Sequence, residues 1–105
     1  MIVIDKPLLA EFRAKRVCEH CGRAIIGPAE PHHWKPKGMG GGSRIDARVN
    51  LASLCRRCHQ MAEDGNIPRE TILAIIAQRE GMLQDEVQAE IWRLLGEKRS
   101  IGGEG

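Results

Sequence analysis

Aromatic side chains are scarce in this sequence of 105 residues, which has no tyrosine and contains only Phe12, Trp34 and Trp92. Isoleucine, leucine and valine together number 23, so the composition predicts an aliphatic core. No run approaches the ~18 consecutive apolar residues that a membrane-spanning helix needs. The short apolar run at 1–4 is followed at once by two charged residues, which is untypical of a signal peptide. We therefore expect a soluble cytoplasmic protein with no membrane partner.

The length leaves no room for a second domain of ordinary size. We expect one domain at 1–96, made of a core at about 17–64 and a helical extension at 67–96. The Gly-rich polar residues 97–105 predict a flexible tail.

Charge is distributed unevenly along the chain. Residues 1–60 contain 11 Lys and Arg against 5 Asp and Glu, whereas residues 61–105 contain 5 against 9. A basic first half suits a polyanionic partner, because Lys and Arg displace the counterions condensed on phosphates. A basic solvated surface would have the same composition, so charge alone leaves both interpretations open.

Large apolar side chains are also distributed unevenly. Residues 17–60 contain nine of them in 44 positions, and residues 61–95 contain thirteen in 35. Segments of about 40 residues seldom fold by hydrophobic burial alone. The first segment therefore needs another source of stability.

We expect the four cysteines to provide this stability by binding a metal ion. They form two CxxC pairs, Cys18 with Cys21 and Cys55 with Cys58. Such pairs place four thiolates at the corners of a tetrahedron, the arrangement of structural zinc sites. Disulfides are disfavoured without a secretion signal, and a redox CxxC would need no second pair. The second pair and His59 also match the CxxCH of haem attachment, but that interpretation leaves the first pair without a purpose.

Apolar spacing and turn residues predict the order of the secondary-structure elements. In the first half we expect a helix at 7–16, a turn-rich hairpin at 22–31, a short strand at 32–35, a loop at 36–48, a strand at 49–54 and a short helix at 55–64. In the second half Pro68 and Gly81 bound one helix, and an apolar stripe marks another: Leu83, Val87, Ile91, Leu94 and Leu95. Two packed helices suit this acidic half better than a DNA-contacting helix-turn-helix.

The loop at 36–48 contains Gly38, Gly40, Gly41 and Gly42, and loops of this length are usually functional or mobile. It lacks the Lys-Ser/Thr of a P-loop, so we expect no nucleotide cofactor. A connector whose backbone approaches DNA fits better. Basic residues in and near this loop are candidates for phosphate contacts, or else solvated charges: Lys35, Lys37, Arg44, Arg48, Arg56 and Arg57.

Three of the four histidines, His32, His33 and His59, bracket this loop together with Asn50. Metal-assisted hydrolysis of a phosphodiester needs a base, a metal ion and a group that fixes the tautomer of the base. These four residues could supply all three functions. A lone histidine more often has a surface or capping role, but three beside a basic segment favour the catalytic interpretation.

In this order, and interleaved with the two cysteine pairs, the four residues resemble the motif of the HNH endonucleases. The resemblance covers about residues 17–64 and is greatest to the small cysteine-bearing type of phages and bacteria. It implies an α+β protein with a ββα-metal fold, in which two antiparallel strands and a helix surround a catalytic divalent ion. Here a four-cysteine zinc site would staple that fold, with a short N-terminal helix and two C-terminal helices added.

By position, the resemblance implies that His33 is the general base, that His32 and His59 are metal ligands, and that Asn50 fixes the loop and orients His33. Many relatives have a further histidine where this chain has Glu63, which either completes the ligand set or is a solvated helix residue. Two imidazoles favour Mn²⁺ over Mg²⁺ as the catalytic ion.

The implied activity is metal-dependent cleavage of double-stranded DNA, which leaves 5′-phosphate and 3′-hydroxyl ends. One active site cuts one strand, so we expect a monomer to nick. The alternative is a zinc-bearing nucleic-acid-binding or adapter module without catalysis, which would have no use for a general base beside a second metal.

Overall fold

A computed structural model of the protein describes residues 2–36 and 44–96. Residues 37–43 of the predicted glycine loop, which include Lys37, and the predicted tail at 97–105 lie outside these ranges. The described elements are β1 (Ile2–Val3), α1 (Lys6–Arg13), β2 (Glu30–His33), β3 (Arg44–Ile45), a 3-10 turn (Arg48–Asn50), β4 (Leu51–Leu54), α2 (Arg56–Glu63), α3 (Arg69–Glu80) and α4 (Gln84–Gly96). Within the described ranges, each helix is too short or too polar to cross a membrane.

The centre of the fold is an antiparallel hairpin of β2 and β4, followed directly by α2. The register pairs Glu30 with Leu54 and His33 with Leu51. All four residues of β4 are buried, because the strand contacts α1, α2 and α3 as well as β2. Two antiparallel strands and a helix in this order confirm the predicted α+β class.

The strand positions differ from those predicted at 32–35 and 49–54. The first strand begins two residues earlier, at Glu30, and the second begins at Leu51. Val49 and Asn50 instead belong to the 3-10 turn, which is closed by a hydrogen bond from the Asn50 N–H to the Ala47 carbonyl. The side chain of Asn50 then accepts a hydrogen bond from the Lys35 N–H, so this side chain replaces a strand partner there.

The segment predicted as a structureless loop also contains a strand, because β3 pairs in parallel with β1. The Asp46 N–H extends this pairing by donating to the Val3 carbonyl at 2.8 Å. The chain's first residues therefore position Asp46, a contact that local sequence patterns do not reveal.

Helix α1 begins where the Asp5 carboxylate accepts a hydrogen bond from the Leu8 N–H, and it ends at Arg13, before the predicted end at residue 16. Beyond it the chain turns into the first cysteine pair, where Val17 and Ala24 form an antiparallel bridge. The Ile25 N–H donates to the Arg16 carbonyl. Arg16 therefore belongs to the turn around Cys18 and Cys21, which we call the first cysteine knuckle, and not to α1.

The two C-terminal helices bury their apolar faces against the hairpin and the cysteine knuckles. Helix α3 follows Pro68, and Gly81 ends it with a φ of 69°, a conformation that glycine adopts without strain. Val87 and Ile91 of the predicted stripe are fully buried, but Leu83 precedes α4 and is 70% exposed.

The prediction of a purely aliphatic core is wrong in one respect. Phe12 is fully buried against Leu9 and Leu51, and Trp34 is buried in the larger cluster that contains the helices. Only Trp92 of the three aromatic residues is exposed. Both aromatic side chains of the first half thus contribute to the core.

Candidate functional site

The two cysteine pairs meet where β4 ends and α2 begins. All four thiols are free, and their Sγ atoms lie within 4.8 Å of one another. A tetrahedral zinc ion with Zn–S bonds of about 2.3 Å would hold its sulfurs ~3.8 Å apart, and the Cys21 and Cys55 sulfurs are 4.0 Å apart. The four cysteines therefore fit a structural zinc site, as the sequence predicted.

Hydrogen bonds to sulfur shape both knuckles. The Cys21 N–H points at the Cys18 sulfur at 3.5 Å, and the Cys58 N–H points at the Cys55 sulfur at 3.4 Å. His20, which the sequence analysis did not assign, places Nδ1 3.3 Å from the Cys58 sulfur. These nitrogens are placed to stabilise thiolates by hydrogen bonding to the sulfurs.

The pKa values of two of these thiols are shifted in opposite directions. Burial alone would raise the pKa of Cys18, but hydrogen bonds from backbone N–H groups lower it to about 7. Burial and the neighbouring thiols raise the pKa of Cys58. Crowded thiols cannot all ionise by themselves, and a bound divalent cation would remove this conflict.

A second group of ligand atoms lies between β2 and α2. Nitrogens of His32 and His59 and a carboxylate oxygen of Glu63 lie within 4.8 Å of one another. Oε2 of Glu63 is 3.3 Å from His32 Nδ1 and 3.3 Å from His59 Nε2. The spacing of four residues puts His59 and Glu63 on one face of α2, as expected for a helix. These three side chains could share one metal ion.

The protonation chemistry of His32 fits that role. Its Nδ1 is buried, and its contact with Glu63 Oε2 at 3.3 Å does not have the geometry of a hydrogen bond, so a cation between the two atoms would satisfy both. Burial, and then the neighbouring His59, lowers the pKa of His32. A neutral imidazole is the form that binds metals. The donor set of two imidazoles and a carboxylate suits a transition-metal ion.

Glu30 supports His59 and was missed in the sequence. Its Oε1 lies 2.6 Å from His59 Nδ1, on the far side of the ring from Glu63. A carboxylate that accepts the Nδ1 proton leaves the Nε2 lone pair free and holds the ring in place. The signal was present: Glu30 precedes His32 by two residues, and such residues share a face of a strand.

His33 takes a different partner, because neighbouring side chains of a strand lie on opposite faces. Its Nε2 lies 2.7 Å from Oδ1 of Asp46. The Asp46 carboxylate is completely buried, and it also accepts two hydrogen bonds from Arg44 and one from the Asp5 N–H. The family resemblance implies that Asn50 orients His33, but the side chain that contacts the His33 ring is Asp46.

Asp46 stays ionised in this environment. Burial would raise its pKa, but the hydrogen bonds from Arg44 and His33 and the Arg44 charge outweigh that effect and lower the pKa to about 2. The proton between Asp46 and His33 therefore resides on His33 Nε2 at neutral pH. Consequently Nδ1 is the unprotonated nitrogen of the neutral ring.

Asn50 is fully buried and ties the two sides of the glycine loop together. Its Oδ1 accepts a hydrogen bond from the Lys35 N–H at 2.7 Å, and its Nδ2 donates to the Ile45 carbonyl at 2.9 Å. Its own carbonyl accepts from the Trp34 N–H. These contacts would fix the two ends of the glycine loop, one close to His33 and the other close to Asp46.

The predicted DNA-contacting residues differ in their electrostatic partners. Lys35 and Arg57 have no carboxylate partner among the described residues, and Lys37 is outside them. Three arginines do have such partners: Arg44 with Asp46, Arg48 with Glu11 and Glu80, and Arg56 with Glu30. Arg57 lines a depression beside the cysteine pairs.

An open cleft of about 1090 Å³ joins the histidines. The cleft is lined by the three residues that could share an ion, His32, His59 and Glu63. His33 lines it as well, without belonging to that group. The walls come from α1, from the segment after α2 and from the start of α3. His33 and the three side chains that could share a metal ion therefore open into the same space.

Comparison with known proteins agrees with this geometry. Residues 18–65 match the model of a family described as HNH endonuclease. No curated protein and no solved structure matches the chain. The matched segment contains both cysteine pairs, the β2–β4 hairpin, α2 and all four predicted catalytic residues. Residues 18–65 are thus similar to an HNH endonuclease domain, and this similarity suggests nuclease-type activity in general.

Proposed function

We propose that the protein is a metal-dependent DNA endonuclease that nicks one strand as a monomer and leaves 5′-phosphate and 3′-hydroxyl ends. One observation carries the proposal. The cleft is lined both by the group that could share a metal ion, His32, His59 and Glu63, and by His33, which contacts Asp46. A module that only binds nucleic acid has no need for an imidazole oriented by a buried carboxylate beside a group of possible metal ligands.

His32, His59 and Glu63 would hold the divalent ion. When bound, this ion would stabilise negative charge on the scissile phosphate and on the leaving oxygen. Two imidazoles and one carboxylate suit Mn²⁺ better than Mg²⁺, which prefers an all-oxygen shell. The role of Glu30 is to keep the proton on His59 Nδ1, so that Nε2 faces Glu63 with its lone pair free.

His33 would act as the general base. Because Asp46 holds the proton on Nε2, the free Nδ1 would accept a proton from the attacking water, and Asp46 would stabilise the imidazolium that forms. Arg44 keeps the Asp46 carboxylate ionised during this step. Asn50 acts at a distance, by fixing the chain on either side of the glycine loop.

The test is incubation of supercoiled plasmid with the protein and either Mn²⁺ or Mg²⁺. We expect nicked circles, faster with Mn²⁺, and a rate about 10²- to 10⁴-fold lower for His33→Ala. Gln60→Ala, at an exposed position on α2, is the matched control for non-specific effects of a substitution and should cut like the parent, whereas loss of cutting by His33→Ala purified in the same way excludes a contaminating nuclease. Equal cutting by His33→Ala would remove His33 from the mechanism. No cutting with any ion would favour the non-catalytic binding module.

A further inference from the structure

Two arginines that the sequence analysis did not select line the same cleft. Arg13 is the last residue of α1, and Arg69 is the first residue of α3. Both side chains belong to exposed residues. They come from outside the hairpin and α2, so their presence in the cleft depends on how the flanking helices pack.

The two arginines are electrostatically uncompensated. Among the described residues, neither has a carboxylate within ion-pairing distance, whereas Arg44 in the same cleft is paired with Asp46. Glu63 is the one acidic residue among those described that line the cleft, and we assign it to the metal group. The cleft therefore has an excess of positive charge that nothing in the described chain neutralises.

Arg69 is also held in a defined orientation. Its guanidinium lies over the Trp34 ring at 4.3 Å, and Nη1 donates to the Trp34 carbonyl at 2.9 Å. In return the Trp34 indole N–H donates to the Arg69 carbonyl. This leaves Nε and Nη2 as donors, and a planar guanidinium with two free donors matches a phosphate.

We propose that Arg13 and Arg69 bind backbone phosphates of the nucleic acid strand whose scissile phosphate lies at the His32, His59 and Glu63 group. The inference rests on the proposed function for the identity of the substrate. It assigns substrate binding to α1 and α3, outside the segment that matches the family. It also replaces Arg48 as a principal phosphate contact, because Glu11 and Glu80 already neutralise the Arg48 charge.

The experiment measures binding of a fluorescein-labelled DNA duplex by anisotropy, without added divalent ion, between about 50 and 200 mM salt. Each of Arg13→Gln and Arg69→Gln should weaken binding roughly eightfold at about 0.1 M salt and reduce the salt slope by about 0.9. Arg16→Gln is the matched control, because Arg16 is exposed but does not line the cleft. If the three variants lose affinity equally, or none does, the proposal is wrong.

Arg69 needs a second variant because it also packs on Trp34. Arg69→Lys keeps the charge and loses the planar contact. A slope like the parent's for Arg69→Lys, with a reduced slope for Arg69→Gln, assigns the effect to charge. A reduced slope for both, with a lowered melting temperature, would assign it to packing and overturn the role of Arg69.

The outcomes separate this inference from the proposed function. A parent that binds DNA through Arg13 and Arg69 but cuts none with Mn²⁺ would contradict the nuclease proposal and leave the phosphate contacts standing. A parent that cuts DNA, with both variants binding normally, would contradict the phosphate contacts alone.

Discussion

The metal-binding half of the chain and its helical half obtain their stability in different ways. Residues 17–60 contain few large apolar side chains, and the four cysteines hold both ends of this segment. Helices α3 and α4 instead bury aliphatic faces, with Ile76, Val87 and Ile91 fully buried. Zinc would give the first half its local shape, and hydrophobic burial gives the second half its packing.

The two halves nevertheless share one core. Cys18, Trp34 and Leu54 belong to the same buried cluster as Ile76 and Val87. The helices therefore supply the hydrophobic mass that the knuckles lack, and the knuckles provide a surface for the helices to cover. The two metal groups should nevertheless behave differently, because Cys18 and Cys58 of the cysteine group are buried in this core, whereas the histidine group lines an open cleft.

The largest expected effect is the loss of the structural zinc. Structural zinc sites contribute about 10–16 kcal/mol of apparent binding free energy, which is comparable with the whole stability of a small domain. We therefore expect Cys58→Ser to unfold both halves, with loss of helical circular dichroism and of bound zinc. His59→Ala, one residue further along α2, should keep the zinc and melt like the parent. A Cys58→Ser protein with parent-like zinc content and melting would contradict the shared dependence.

A change in the helical half should reach the metal half through the common core. Ile76→Ala removes a fully buried side chain and should cost about 2–5 kcal/mol, measured by chemical unfolding with zinc present. Unfolding followed by circular dichroism and by release of zinc to a coloured chelator should give coincident transitions. Ile75→Ala, a partly buried neighbour, should cost less. Zinc release at a clearly different denaturant concentration would separate the two halves.

Sequence patterns predicted the features that depend on short spacing. The two cysteines of each pair are three residues apart, the spacing of zinc ligands, and Pro68 and Gly81 mark the ends of α3 through their own backbone preferences. The antiparallel hairpin and α2 followed from the family resemblance. In each case the residues that determine the structure are close together in the chain or form a recognisable motif.

The missed features depend on contacts between distant residues. Asp46 reaches His33 because β3 pairs with β1, and a parallel pair of two-residue strands leaves no periodic pattern. Glu30 was missed because the strand was predicted from residue 32, which removed Glu30 from the face that it shares with His32. Arg13 and Arg69 were missed because they lie outside the motif in sequence, and only the packing of α1 and α3 brings them to the cleft.

Asp46→Asn should test the buried ion pair that links the N-terminal strand to the site. The pKa of Asp46 is lowered from an ordinary value of 3.8 to about 2, which corresponds to about 2 kcal/mol of stability at neutral pH. That stability is present above pH ~4 and is lost as the pH falls through ~2, because the depressed pKa belongs to the folded state. The variant should therefore lose equal stability at pH 5 and pH 7 in urea unfolding. No loss of stability at either pH would contradict the contribution of the ionised Asp46 carboxylate.

The smallest effect should come from Glu30→Gln, and it sharpens the contrast between the two metal groups. The amide keeps the shape of the side chain but cannot hold the His59 Nδ1 proton as a carboxylate does, so Mn²⁺ affinity should fall about tenfold or more. Glu30 is partly exposed, so the melting temperature and zinc content should stay at the parent's values. Glu70→Gln, an exposed carboxylate at the start of α3, is the control, with Mn²⁺ binding followed by calorimetry. Reduced Mn²⁺ affinity with unchanged folding would place the histidine group outside the structural core. A fall in both would mean that the two metal groups are not energetically separate, because only a coupled hairpin could transmit the loss of one hydrogen bond to the zinc knuckles.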